Sequence, residues 1–374
     1  MAGLTYTMLD TANLSTAELY GKVLCDMGEI HPEIVGLSAD LAKSTKIGLF
    51  GSKFPHRFFN AGIAEQNMFG MAAGMAKAGL VPFVSTFAIF TSMRGLDQVH
   101  TDICYQNLNV KMIATHAGLS FGQAGSTHHC TEDLSIMRAM ANCKVIVPAD
   151  GIETANAVQA AYEAPGPVYI RINRGFDQKL YENTEYGYKI GKAVELAEGT
   201  DLTIIACGSC VYQAVEAAKI LNSTDGIKAR VINMHTIKPI DEEIIVKAAM
   251  ETGVIVTAEE HNIIGGLGSA VAEVLSENYP VPLIRVGVQD KFGKSGKPDC
   301  HQHCRDAHFG KGSSAYHRYP RLQSQGERRR QSRHLPRRPR VGVGRDRPPD
   351  RPLDLLGEPA PPRLLPARLR GPVL

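Results

Sequence analysis

At 374 residues, 44% of them hydrophobic, the chain is long enough for two ordinary domains with real cores. A formal net charge of only +3 gives no reason to expect a nucleic-acid or membrane partner, and no apolar run reaches the roughly 18–20 residues that span a bilayer. The amino terminus lacks a basic region followed by an apolar core, and eight scattered cysteines fit reduced thiols rather than a disulfide framework, so a cytoplasmic protein is expected.

These averages conceal a break. Through Lys297 the chain holds 17 Lys and 7 Arg; from Pro298 it holds 16 Arg, one Lys and 12 Pro, without helical or strand periodicity. Such a segment buries too little surface to offset its chain entropy. It reads either as a basic disordered tail for an acidic partner or as out-of-frame translation of a GC-rich gene, and residues 298–374 are left out of the expected fold.

In chain order, 15–30 reads as an amphipathic helix with Leu19, Val23 and Met27 on one stripe and Ser15 as its cap. A buried strand over 33–40 ends in a polar loop. Helix 62–77 is rich in Ala, Met and Gly; strand 80–85, helix 87–104 and strand 110–115 follow, then a Gly-rich loop from Gly118 to Gly125. Helix 132–142, strand 144–147, helix 151–164 and strand 168–172 complete the first unit. Polar residues up to 192 read as a linker. The alternation restarts with strands at 201–207, 229–234, 253–259 and 282–286 and helices at 211–221, 241–250 and 268–276. The pattern predicts two doubly wound α/β domains, 1–180 and 193–297, joined by a linker at 181–192. Parallel sheets hold ligands at the carboxyl ends of their strands, which singles out Asp40, Asn60, Phe87, His116, Asp150 and Arg174.

Glu65 opens an apolar helix. It is either a first-turn acid complementing the helix dipole or a desolvated carboxyl of raised pKa that shares a proton with a ligand nitrogen. Phe87 and Phe90, at i and i+3, are either core or an aromatic wall for a flat heterocycle. His116, His128 and His129 flank the Gly-rich loop, where a polar substrate site and structural histidines are both open readings. Their spacing fits no standard zinc pattern. Arg174 suits a phosphate, a carboxylate or a surface ion pair. Three weaker signals are Cys207-Gly-Ser-Cys210, read as small buried residues; Cys300-His-Gln-His-Cys304, in the suspect tail; and Gly265-Gly266-Leu267-Gly268, read as close helix packing.

Taken together, Arg57-Phe-Phe-Asn-Ala-Gly-Ile-Ala-Glu-Gln-Asn-Met68, Ser85-Thr-Phe87, Gly125-Ser-Thr-His128 and Val145-Ile-Val-Pro-Ala-Asp150 resemble the transketolase family over about residues 14–297. The resemblance implies a domain for the aminopyrimidine half of thiamine diphosphate and a smaller, mainly structural second domain. It implies that Glu65 hydrogen-bonds the pyrimidine ring nitrogen, that Phe87 and Phe90 wall the pyrimidine, and that Asp40 lies near the cofactor. It also implies that His128 contacts the donor sugar and that Ser44, His116 and Arg174 grip its phosphate. Glu65 and His128 are thus the expected catalytic residues. Met93 stands where a third aromatic is often seen. Ala17 replaces a phosphate-binding Arg and Ala124 a hydroxyl-reading Asp, which implies an altered substrate preference.

The Gly-Asp-Gly start and later Asn through which this superfamily binds the Mg2+ of the diphosphate are not found. The resemblance therefore implies a carboxy-terminal subunit of a split transketolase: a separate diphosphate-binding chain, a second copy of this one, Mg2+ held mainly by the partner, and transfer of a two-carbon ketol unit between sugar phosphates. No metal ligands are expected in this chain. The alternatives are a beta-type subunit of a 2-oxo acid dehydrogenase, a 1-deoxyxylulose-5-phosphate synthase-like enzyme, and an inactive orphan domain pair.

Overall fold

The computed structural model describes residues 3–175 and 177–296, all of which belong to one compact unit. The tail expectations, including Cys300 and Cys304, lie outside the described residues. No described helix is long and apolar enough to cross a membrane.

The first sheet grows from α1 (Thr16–Ile30), β1 (Ile34–Ser38), the short α2 (Ala42–Thr45) and α3 (Gly48–Lys53), β2 (Phe58–Asn60), α4 (Glu65–Lys77) and β3 (Val81–Phe87). A helical stretch follows in which Phe90–Arg94 and Val99–Cys104 take the wider π winding around α5 (Leu96–Gln98). Then come β4 (Lys111–Thr115), α6 (Asp133–Ala139), β5 (Lys144–Ile146), α7 (Gly151–Glu163) and β6 (Val168–Arg171). The second half supplies β7 (Val194–Ala197), β8 (Leu202–Ala206), α8 (Cys210–Asp225), β9 (Ala229–Asn233), β10 (Thr236–Lys238), α9 (Glu242–Thr252), β11 (Ile255–Asn262), α10 (Leu267–Asn278) and β12 (Leu283–Val288).

Local chemistry sets the helix starts. Ser15 and Glu18 form a reciprocal capping box on α1, and the carboxylates of Asp150 and Asp241 cap α7 and α9 by accepting from Glu153 and Ile244. Strands β1, β3 and β4 are buried along their whole length, as strands covered by helices on both faces must be.

The strand orders are β10-β5-β6-β4-β3-β1-β2 and β12-β11-β8-β9-β7. Both doubly wound sheets are present, and each gains an antiparallel edge that the simple alternation did not predict: β10 on β5, and β7 on β9. Strand β10 belongs to the second half of the sequence yet closes the first sheet. The expected linker is not a free tether. Tyr181 and Tyr186 stack at 4.0 Å, Tyr188 stacks on His235, and Asn233 donates to Tyr181 and to the buried Glu153.

A buried ionic knot ties the halves together. The Asp133 carboxylate accepts from Arg171 Nε at 2.8 Å and from the Tyr169 hydroxyl at 2.7 Å. Arg171 Nη2 donates to the carbonyls of Cys130 and Glu260, so one guanidinium joins β6, the Gly-rich loop and β11. The Gly-Gly-Leu-Gly turn is close packing, as read. Glu259, whose carboxyl burial pushes up to about 7, accepts from the amides of Leu267 and Gly268, and a Cβ on Gly266 would collide with its Oε2. Cys207 is a buried free thiol, pushed up in pKa by burial.

Candidate functional site

The strand order puts the carboxyl ends of β6, β4, β3, β1 and β2 side by side. The chain runs from β1 outward to β2 and then returns past β1 to β3, so its direction across the sheet reverses between β1 and β3, where sheets of this kind hold ligands. Asp40 follows β1, Asn60 ends β2, Phe87 ends β3, His116 follows β4 and Arg174 follows β6.

On the β1 side, Asp40 takes a left-handed backbone (φ 59°). That turn is held by Asn60, whose Oδ1 accepts from the amides of Asp40 at 2.9 Å and Gly62 at 3.1 Å. The Asp40 side chain is left exposed at the edge. Ser44 is exposed on α2, a helix that packs against β3 and α3.

On the β3 and β4 side five rings converge. Phe87 lies 5.7 Å from Phe90, 4.2 Å from His116 and 5.2 Å from Phe121, measured between centroids. His128 presents its edge to Phe90 and to Phe121, each at 5.6 Å. The loop carrying Phe121 and His128 is pinned at its base by paired amides and carbonyls of Gly118 and Cys130. Glu260 fixes it further by accepting from the Leu119 amide at 2.8 Å. His116 is also left-handed (φ 59°), and its Nδ1 meets the Thr115 hydroxyl at 2.9 Å. Burial, reinforced by the Arg174 charge, pulls its imidazole down to about 4, so the ring is neutral at pH 7. The exposed Arg174 guanidinium lies 5.2 Å from the centre of Phe121.

Glu65 opens α4 with only 1% of its surface exposed. Its carboxylate does not stand alone: Arg94 Nη1 donates to both oxygens, at 2.9 and 3.0 Å. The same guanidinium lies 4.1 Å from the centre of the Phe90 ring and so links the buried acid to the ring cluster.

The expected residues Phe87, Phe90, His116, His128 and Arg174 thus meet; Asp40 follows β1 and Ser44 lies on α2. Sequence reasoning missed Arg94 and Phe121. Arg94 lies four residues past Phe90, on its helical face, and Phe121 lies within the Gly-rich loop between Gly118 and Gly125, a lone ring among small residues. Ala17 is packed at 2% exposure beside Thr16, whose hydroxyl donates to Asp177. Burial pushes the Asp177 carboxyl up to about 7. Among the described residues, no group of three or more His, Cys, Asp or Glu is placed to hold a metal ion.

Two family profiles match: the transketolase pyrimidine binding domain over residues 12–176 and the transketolase C-terminal domain over 191–305. The putative transketolase C-terminal section of Methanocaldococcus jannaschii is 47% identical over 282 residues, 75% of this chain and 88% of that one. The 6-deoxy-6-sulfo-D-fructose transketolase subunit SqwH of Clostridium sp. (strain MSTE9) is 43% identical, covering 75% and 87%. A solved structure described as a split gene transketolase, inactive beta4 tetramer, superposes with a TM-score of 0.68 at 47% identity, covering 77% of this chain and 91% of that one.

Proposed function

The chain belongs to the transketolase family, and from that premise we propose that it is the pyrimidine-binding subunit of a two-chain, thiamine-diphosphate-dependent transketolase that moves a two-carbon ketol unit between sugar phosphates. The observation that carries the reading is a carboxylate with 1% exposure, at the head of a helix, coupled to stacked rings at the carboxyl edge of a parallel sheet.

The residues fit one half of the cofactor. Phe87 and Phe90 offer a flat apolar wall for an aminopyrimidine, and Glu65 offers a buried oxygen for its ring nitrogen. In this reading the diphosphate end and its Mg2+ belong to the partner chain, because the Gly-Asp-Gly start and later Asn are not found in this sequence. When bound, the cofactor supplies the carbanion chemistry. Glu65 shares a proton with the ring nitrogen from a site where water does not compete for it. Asp40, in the turn after β1, orients the cofactor. His128 hydrogen-bonds the donor sugar, while the neutral His116 ring, Ser44 and the exposed Arg174 hold its phosphate. Ala17 and Ala124 supply no polar contact where the family usually has one, which favours a substrate other than the ordinary pentose phosphates.

The test is co-purification with a diphosphate-binding chain, then ketol-transfer assays with and without thiamine diphosphate and Mg2+. Glu65→Gln is expected to lower turnover at least about a hundredfold with the fold retained. Near-normal turnover in that variant defeats the assignment.

A further inference from the structure

A carboxylate as buried as Glu65 needs a partner in every state of the protein, because an uncompensated buried charge is strongly destabilising. Arg94 is that partner here, and three features make the arrangement exchangeable. A single nitrogen, Nη1, serves both oxygens, so the pair lacks the two parallel bonds of a guanidinium–carboxylate fork. The Arg94 side chain is 47% exposed, so its charge meets water as soon as it turns outward. It also leans on the Phe90 ring, which gives the guanidinium a resting surface off the acid. Glu65, by contrast, is fixed in the first turn of α4 and has nowhere to go.

We propose that Arg94 is a positioning residue that stands in for the cofactor. In the cofactor-free chain it holds the Glu65 carboxylate in place; on binding, Arg94 turns outward, Glu65 takes up one proton from water and shares it with the pyrimidine ring nitrogen. This rests on the reading above that Glu65 meets that nitrogen. The buried acid is then never unpartnered, and binding includes the breaking of one charged contact.

The test is titration calorimetry of thiamine diphosphate with Mg2+ into the assembled two-chain protein, wild type against Arg94→Met, with Arg94→Lys as the charge-conserving control. Arg94→Met is expected to bind about tenfold more tightly, the factor carried by roughly one net charged hydrogen bond. Arg94→Lys is expected to fall between it and wild type. Without cofactor, Arg94→Met melts below wild type, and saturating cofactor closes the gap, since the ring nitrogen replaces the lost partner. A merely structural arginine would lower melting equally with and without cofactor and leave the affinity unchanged; that result overturns the proposal while leaving the assignment of Glu65 intact. Weaker binding by Arg94→Met overturns it as well. Failure of the wild-type pair to take up the cofactor overturns both.

Discussion

Replacing Asp133 by Ala tests how the two halves are bound together. The side chain is wholly buried and serves two donors, Arg171 Nε at 2.8 Å and the Tyr169 hydroxyl at 2.7 Å, while the Arg171 side chain is itself only 2% exposed. Truncation strands a guanidinium where water cannot reach, which costs about 3–5 kcal/mol, and the orphaned hydroxyl lies within the same loss. The double substitution Asp133→Leu with Arg171→Met removes more contacts yet leaves no buried charge. Its loss is then limited to uncharged groups, the Tyr169 hydroxyl that Asp133 served and the carbonyls of Cys130 and Glu260 that Arg171 served, about 1–3 kcal/mol. Urea unfolding followed by circular dichroism, compared at a constant slope, gives both values. If Asp133→Ala loses less than about 1 kcal/mol, or if the double variant is the less stable of the two, a desolvated charge is not what the pair guards against.

Two further outcomes follow from burial elsewhere. Gly266→Ala sets a Cβ into Glu259 Oε2 and 2.6 Å from His261 Nδ1, so it should dislodge the carboxylate that caps α10 and lower stability by about 1–3 kcal/mol, measured as a fall in melting temperature. Burial draws His116, His235 and His261 down to about 4, below their ordinary 6.5, so the unfolded chain binds protons first and stability is lost as pH falls from about 6.5 to 4. Glu259 and Asp177, pushed up to about 7, act in the opposite sense, losing stability as pH rises from about 4 to 7. His235→Leu should therefore reduce the slope of unfolding free energy against pH in the acid window by about 1.4 kcal/mol per unit, and an unchanged slope contradicts the linkage.

What could be read from the residues was whatever depends on near neighbours. The capping box at Ser15 and Glu18 and the mostly apolar strands β1, β3 and β4 announce themselves locally. So does the placement of Asp40, Phe87, His116 and Arg174, because the carboxyl ends of parallel strands follow from the alternation itself. Strand β10 did not, since three residues carry no period and its partner lies some 90 positions earlier. Glu65 was legible as an acid in apolar company, but Arg94 was not legible as its counter-ion. The two are 29 residues apart, on elements whose crossing only the packed structure defines. The tyrosines of the expected linker were visible as residues but not as a stack, because their partners Glu153, Asn233 and His235 come from both sides of it.

The crossing of β10 into the first sheet bears on how this polypeptide can be divided. A cut within 181–192 would seem to separate two self-sufficient folding units. Instead it would uncover the backbone amides and carbonyls of β5 along a bare flank, open to any strand that drifts by. An excised front portion would tend to stick to its own kind, so a soluble fragment for dissecting the ring cluster has to carry residues 236–238 or an edge redesigned to do without them.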